Sequence, residues 1–256
     1  MAERGLHFVV SGSGASVVLI HGVGADGRSW DGVVKSLGEE FTTLALDLAG
    51  HGRSAPIREP YSLERFAADV LATMDRAGME RAHVVGFSLG GLIAQQIALA
   101  APERVDRLAL LAAVAGRTDE ERAKVVGRLD AIRSGGIAAV TGAARERWFT
   151  AEFARDNPER IAQRIAELEA NDLESYLEAY RVFGTSELGP ELHRITARTL
   201  VLTGEHDVGS NTRMARFMHE AIRTSELVIL PRLKHSLLVE APLLVARALR
   251  RFLSTP

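Results

Sequence analysis

Val84-Val85-Gly86-Phe87-Ser88-Leu89-Gly90-Gly91 decides how the rest of the chain is read. Residues 82–85 make a short apolar, β-branched run suited to a buried strand. Residues 89–100 make an apolar helical stretch that halts before Pro102. Between them stands G-x-S-x-G. A serine on so sharp a strand-to-helix turn occupies strained backbone, and its flanks must be glycine to avoid collisions. The turn lifts the Ser88 hydroxyl above the sheet, beside the positive end of a helix. Ser88 is therefore the candidate nucleophile; the plainer alternative is a glycine-rich turn whose serine only caps the helix.

Outward from this turn, strand-like runs at 7–10, 17–20, 41–46, 82–85, 107–111, 199–203 and 226–230 alternate with helical patterns. That rhythm predicts an α/β fold, a mostly parallel sheet flanked by helices, with central strands apolar on both faces. Ser11-Gly-Ser-Gly reads as a turn pairing the first two runs antiparallel, since so short a connection makes no parallel crossover. Ser62 is the expected N-cap of a helix ending at Gly78, and residues 241–253 form a closing helix with Pro242 in its first turn. From 116 to 189 the strands stop, and charged amphipathic helices rich in Arg, Glu and Ala take over. The expected organisation is a core from 1–115 and 190–256 carrying a helical cap at 116–189.

The bulk properties exclude several classes. A chain of 256 residues builds a core without covalent staples, and the absence of cysteine rules out disulfides, thiolate metal sites and a cysteine nucleophile. It also suits a reducing cytoplasm. A net charge of −2, from 31 basic and 33 acidic residues, gives no overall field for nucleic acid or an anionic membrane. Residues 1–7 lack the apolar centre of a signal peptide, and no apolar stretch is long enough to span a bilayer. The expectation is a soluble cytoplasmic protein that acts on a small molecule, with neither nucleic acid nor membrane as partner.

A nucleophilic serine needs oxyanion donors, a base and an acid. Leu19-Ile20-His21-Gly22-Val23-Gly24 ends the second strand run, where such a design places one donor loop. The donors would be the backbone amides of Val23 and Leu89, each worth about 10²–10³ in turnover. His21 itself is given a structural role. Of the late histidines, His193 and His219 fall in helical stretches and His206 lies between two acids. His235 follows the last strand run, where loops of such sheets gather their active sites, and is the expected base. The acid should follow the preceding strand, in Gly204-Glu-His-Asp. Asp207 lies deeper in that loop, with reach to the imidazole; Glu205 is its rival.

Asp47-Leu-Ala-Gly-His-Gly-Arg-Ser resembles the D-x-x-G-H-G-x-S loop of the α/β-hydrolase superfamily. Together with His21-Gly22, the Ser88 turn, the Gly204–Asp207 loop and His235, the resemblance spans nearly the whole core in order. It implies that residues 47–54 form a structural turn without a catalytic role. Arg147-Trp148-Phe149-Thr150, followed by Phe153 and Pro158, is similar to the cap of 3-oxoadipate enol-lactonases, as are Glu174-Ser175-Tyr176 and residues 41–53. Those enzymes open a small enol-lactone that carries a carboxylate. The resemblance thus implies that Arg145 or Arg147 pairs with a substrate carboxylate and that Trp148 forms an apolar wall. Solvated arginines and a tryptophan that merely anchors the cap are the structural alternative.

The expected activity is hydrolysis of a small carboxylic ester or lactone through Ser88, His235 and Asp207, with no metal or organic cofactor. A carbon–carbon bond hydrolase of aromatic degradation or a cofactor-free perhydrolase would share this set. A non-catalytic receptor for a small ligand is the alternative from another class.

Overall fold

The computed structural model describes residues 5–254; residues 1–4, which open the N-terminal stretch discussed above, and residues 255–256 lie outside it. The chain runs β1 (Phe8–Ser11), β2 (Ala15–Ile20), α1 (Asp31–Leu37), β3 (Phe41–Leu46), α2 (Leu63–Arg76), β4 (Ala82–Phe87), α3 (Leu89–Ala100) and β5 (Val105–Leu111). Five helices follow: α4 (Asp119–Gly135), α5 (Ala138–Trp148), α6 (Ala151–Asp156), α7 (Pro158–Glu169) and α8 (Leu173–Thr185). The sheet resumes with β6 (Arg198–Gly204), α9 (Thr212–Ala221), β7 (Ser225–Leu230), α10 (Leu237–Glu240) and α11 (Pro242–Ser254). The strands form one seven-stranded sheet in the order β1-β3-β2-β4-β5-β6-β7. All pairs are parallel except β1 with β3.

Successive residues of a strand point to opposite faces, and here both faces are covered. Val18, Ile20, Val84, Leu108, Leu110 and Val201 enter the core shared with α2, α3 and α9. Their neighbours Val17, Leu19, Val85, Ala109, Leu111, Leu200 and Leu202 enter the core shared with α1 and α11. This double burial explains why the central strands read as unbroken apolar runs. Ser62 caps α2 by accepting from the Arg65 amide, and Gly78 closes that helix with φ +71°.

One pairing differs from the sequence reading. β1 and β2 are not partners: β3 lies between them, antiparallel to β1 (Phe8↔Leu46) and parallel to β2 (Ala15↔Phe41). The short link between β1 and β2 straddles the start of β3. Gly12 and Gly14 press against the carbonyls of Phe41 and Glu40, where any side chain would overlap them. The length of the link excluded a parallel crossover but said nothing about a third strand entering the gap.

The helices α4–α8 bury a small cluster of their own, Ile132, Ile137, Val140, Leu168 and Tyr176, with Val23 of the sheet domain packed against it. No helix among the described residues is long and apolar enough to cross a membrane.

Candidate active site

Ser88 occupies the turn between β4 and α3 with φ +55° and ψ −113°, a conformation rare for a residue with a side chain. The turn is tight enough to exclude a Cβ on both sides. At Gly86 it would overlap the Gly90 carbonyl, and at Gly90 the carbonyl of Ile20. The Ser88 amide is tied to Leu111 O at 2.9 Å, so the strained residue is anchored to the neighbouring strand. Only 7% of Ser88 is exposed, and it lines a cavity.

His235 and Asp207 line the same cavity. They arrive on two loops that the sheet brings together: the amides of Glu205 and His206 donate to Leu230 O (2.9 Å) and Leu233 O (2.8 Å). The approach is so close that a side chain at Gly204 would collide with the carbonyls of Leu233 and Lys234. His235 Nδ1 lies 2.7 Å from Asp207 Oδ2, while Asp207 Oδ1 accepts from the amides of Gly209 (2.8 Å) and Ser210 (2.9 Å). Burial by itself would raise the Asp207 pKa. The imidazole beside it and its three hydrogen-bond donors outweigh that and hold the carboxyl below its ordinary value. As an acceptor from Nδ1–H, an ionised Asp207 leaves Nε2 of a neutral imidazole as the proton acceptor.

Glu205, the rival acid, is turned elsewhere: its carboxylate accepts from the Arg232 amide at 2.8 Å and is half-exposed. His206 is exposed, His193 bonds to Pro190 O in its own turn, and His219 pairs with Ser225.

The loop after β2 lies beside this centre. Val23 lines the cavity, whereas the Leu89 side chain is buried in the core, so what Leu89 offers is its backbone. Its amide opens α3 and has no intrahelical acceptor. His21 braces the loop: Nδ1 is 2.7 Å from Gly22 O, and Nε2 accepts from the Leu48 amide at 2.9 Å. That pattern requires the neutral Nδ1–H tautomer, and burial lowers the His21 pKa accordingly. Asp47 similarly ties its own loop, accepting from the amides of Gly27 (2.8 Å) and Arg53 (2.9 Å). The 47–54 stretch thus has the makings of a structural turn.

The helical insertion supplies the remaining wall. Arg147 and Trp148, at the end of α5, line the cavity; Arg145 is exposed and does not reach it. The insertion also contributes Tyr176 of α8, from the Glu174-Ser175-Tyr176 stretch quoted above, and Arg128 of α4, Arg164 of α7 and Tyr180 of α8, three residues that sequence reasoning had not singled out. Arg164 Nη2 donates to Gly24 O at 2.8 Å, and its guanidinium lies 5.4 Å from the Trp148 ring centre. The cavity has a volume of about 110 Å³. Its charged lining is three arginines, Arg128, Arg147 and Arg164, and a single carboxylate among the described residues, that of Asp207.

Comparison with known proteins agrees with this architecture. A solved enol-lactonase from Burkholderia xenovorans LB400 superposes with a TM-score of 0.92 at 29% identity, over 98% of this chain and 96% of that one. An (E)-2-((N-methylformamido)methylene)succinate hydrolase from Acinetobacter baylyi is 27% identical across 99% of this chain and 95% of its own. The 3-oxoadipate enol-lactonase 2 of the same organism is 27% identical across 84% of this chain and 80% of its own. The family model described as alpha/beta hydrolase fold matches residues 15–242, and the chain therefore belongs to the α/β-hydrolase family, with enol-lactonases among the proteins it is similar to.

Proposed function

We propose that this hydrolase cleaves a small carboxylic ester or lactone through Ser88, His235 and Asp207. His235 Nε2 takes the proton as Ser88 Oγ attacks the carbonyl carbon, and the amides of Val23 and Leu89 stabilise the resulting oxyanion. Collapse breaks the bond to the alcohol oxygen, which takes the proton from His235 and leaves an acyl-serine. Water then attacks the acyl carbon while His235 accepts its proton. The second collapse releases the acid and returns that proton to Ser88. Asp207 holds the imidazole in the required tautomer and balances its charge while protonated.

The observation that carries this reading is the 2.7 Å pairing of His235 with a buried Asp207 on the cavity that also holds Ser88. The enol-lactonases among its relatives favour a lactone as the substrate, with Arg147 meeting an anionic group and Trp148 forming a wall. Side-by-side assays of 4-nitrophenyl acetate and 3-oxoadipate enol-lactone, with Ser88→Ala as control, test it. Rapid lactone opening lost in the variant supports the full proposal. Ester cleavage alone, lost in the variant, keeps the serine mechanism and discards the lactone. Undiminished turnover by Ser88→Ala refutes both.

A further inference from the structure

A base that takes a proton from Ser88 must be held in place, since a misplacement of about 1 Å in such a centre costs about 10²-fold in rate. On the core side, Asp207 fixes His235 Nδ1 at 2.7 Å, and the Phe87 ring centre lies 5.1 Å from that of the imidazole. The backbone of His235 has a different support. Its two chain neighbours both reach helix α5 of the insertion. Lys234 Nζ donates to Glu146 O at 2.6 Å, and the Ser236 amide donates to Trp148 O at 3.0 Å.

Helix α5 ends at Trp148 because Phe149 is extended, with φ −117° and ψ 146°. The carbonyls of its last turn lack intrahelical donors and carry the negative end of the helix dipole, which suits an ammonium group. A third tie follows: Glu240 of α10 accepts from both the amide and the hydroxyl of Thr150. Residues 234, 236 and 240 thus run alongside 146, 148 and 150 in the same order. Ser236, at φ −78° and ψ 51°, is the centre of an inverse γ-turn, closed by the Leu237 amide donating to His235 O at 2.8 Å. So tight a turn passes a displacement of either neighbour straight to the imidazole. Trp148 serves both sides of this arrangement: its side chain lines the cavity, and its carbonyl holds the loop of the base.

We infer that the C-terminal end of α5 aligns His235 for proton transfer, and that Lys234, which lies outside the cavity lining, is a positioning residue for the base. The inference rests on the serine-hydrolase reading and deepens it: besides walling the cavity, the insertion sets the geometry of the base.

The test is Lys234→Met, which keeps the aliphatic stem and removes the donor, assayed with 4-nitrophenyl acetate. kcat should fall by about tenfold with KM unchanged, because the residues lining the cavity stay in place. Lys234→Arg, able to donate to the same carbonyl, should restore most of the loss. Arg122→Met, which breaks an ion pair with Glu187 elsewhere in the insertion, should keep the wild-type kcat. The downfield proton resonance of Nδ1–H in the His235–Asp207 hydrogen bond should shift or broaden in Lys234→Met and not in Arg122→Met. Should Lys234→Met fail to fold, Glu240→Gln, at the third tie, should show the same fall in kcat at constant KM. Wild-type kcat in the folded Lys234 or Glu240 variant, an equal loss in Arg122→Met, or an undisturbed resonance would overturn the inference. Failure of the underlying mechanism looks different: Ser88→Ala would continue to cleave the ester.

Discussion

Arg164 donates to the carbonyl of Gly24 across 2.8 Å, joining helix α7 of the insertion to the loop that carries Val23. The covering helices and the proposed oxyanion loop are thus one hydrogen-bonded unit, and Trp148 beneath the guanidinium holds it in place. Arg164→Met should therefore lower kcat by about tenfold, less than outright loss of a donor, because the Val23 amide is loosened and not removed. Steady-state kinetics decide the matter. A variant with full kcat and only a reduced Tm would make Arg164 a stabilising residue without influence on the reaction.

Asp207 and Glu205 stand two residues apart yet should respond oppositely to loss of charge. Asp207→Asn preserves shape but can donate to Nδ1, which favours the wrong tautomer of His235; kcat should fall by about 10⁴. Glu205→Gln should remain close to wild type, since among the described residues its carboxylate meets only the Arg232 amide and His206, 3.9 Å away. Comparable losses in both variants would remove Asp207 from its proposed role.

The turn around Ser88 leaves no space for a methyl group. Gly90→Ala drives Cβ into the carbonyl of Ile20 and should cost about 3 kcal/mol or more, with loss of activity. Gly127→Ala, on an open face of α4, should be neutral or slightly stabilising. Urea denaturation of the two variants checks the contrast, and equal stabilities would contradict the packing described for the turn.

Acid sensitivity follows from buried histidines. Burial, reinforced by the neighbouring His21, lowers the His51 pKa to about 3. In the unfolded chain a histidine titrates near 6.5, so below that pH the unfolded state takes up a proton that the folded state refuses. Stability is therefore complete above about pH 6.5, falls as pH drops, and stops changing below about 3. His21, also lowered by burial, acts in the same direction. Asp207, held below its ordinary value, adds a loss at lower pH as it becomes protonated. At pH 5 the His51 share is about 2 kcal/mol. Urea midpoints should drop between pH 7 and pH 5, and His51→Gln should flatten the drop. An unchanged slope in that variant would count against His51 as its source.

The parts of the site that lie on the sheet were legible because backbone geometry demands particular residues there. Gly86 and Gly90 flank Ser88 because carbonyls occupy the space beside them, and Gly204 permits the contact that brings Asp207 to His235. The placement of β1 was not legible, since a short link limits strand direction but not which strand intervenes. The covering helices were harder still. Arg128 is one of many arginines in a charged segment, and only the packing of α4 against α8 shows that it faces the cavity beside Tyr180. Arg145 and Arg147 could have been separated in advance. Two residues apart on a helix, they point to nearly opposite sides, so at most one could face the substrate. The structure turns Arg147 inward.

The mechanism stands or falls on Ser88 being the residue that becomes acylated. The most direct measurement is peptide mapping by mass spectrometry after reaction with a fluorophosphonate, with ester turnover followed in the same sample. The expected result is one phosphonyl group per chain, on Ser88, with turnover lost in proportion and no labelling of Ser88→Ala. Labelling at another residue, or full turnover by protein labelled at Ser88, would contradict it.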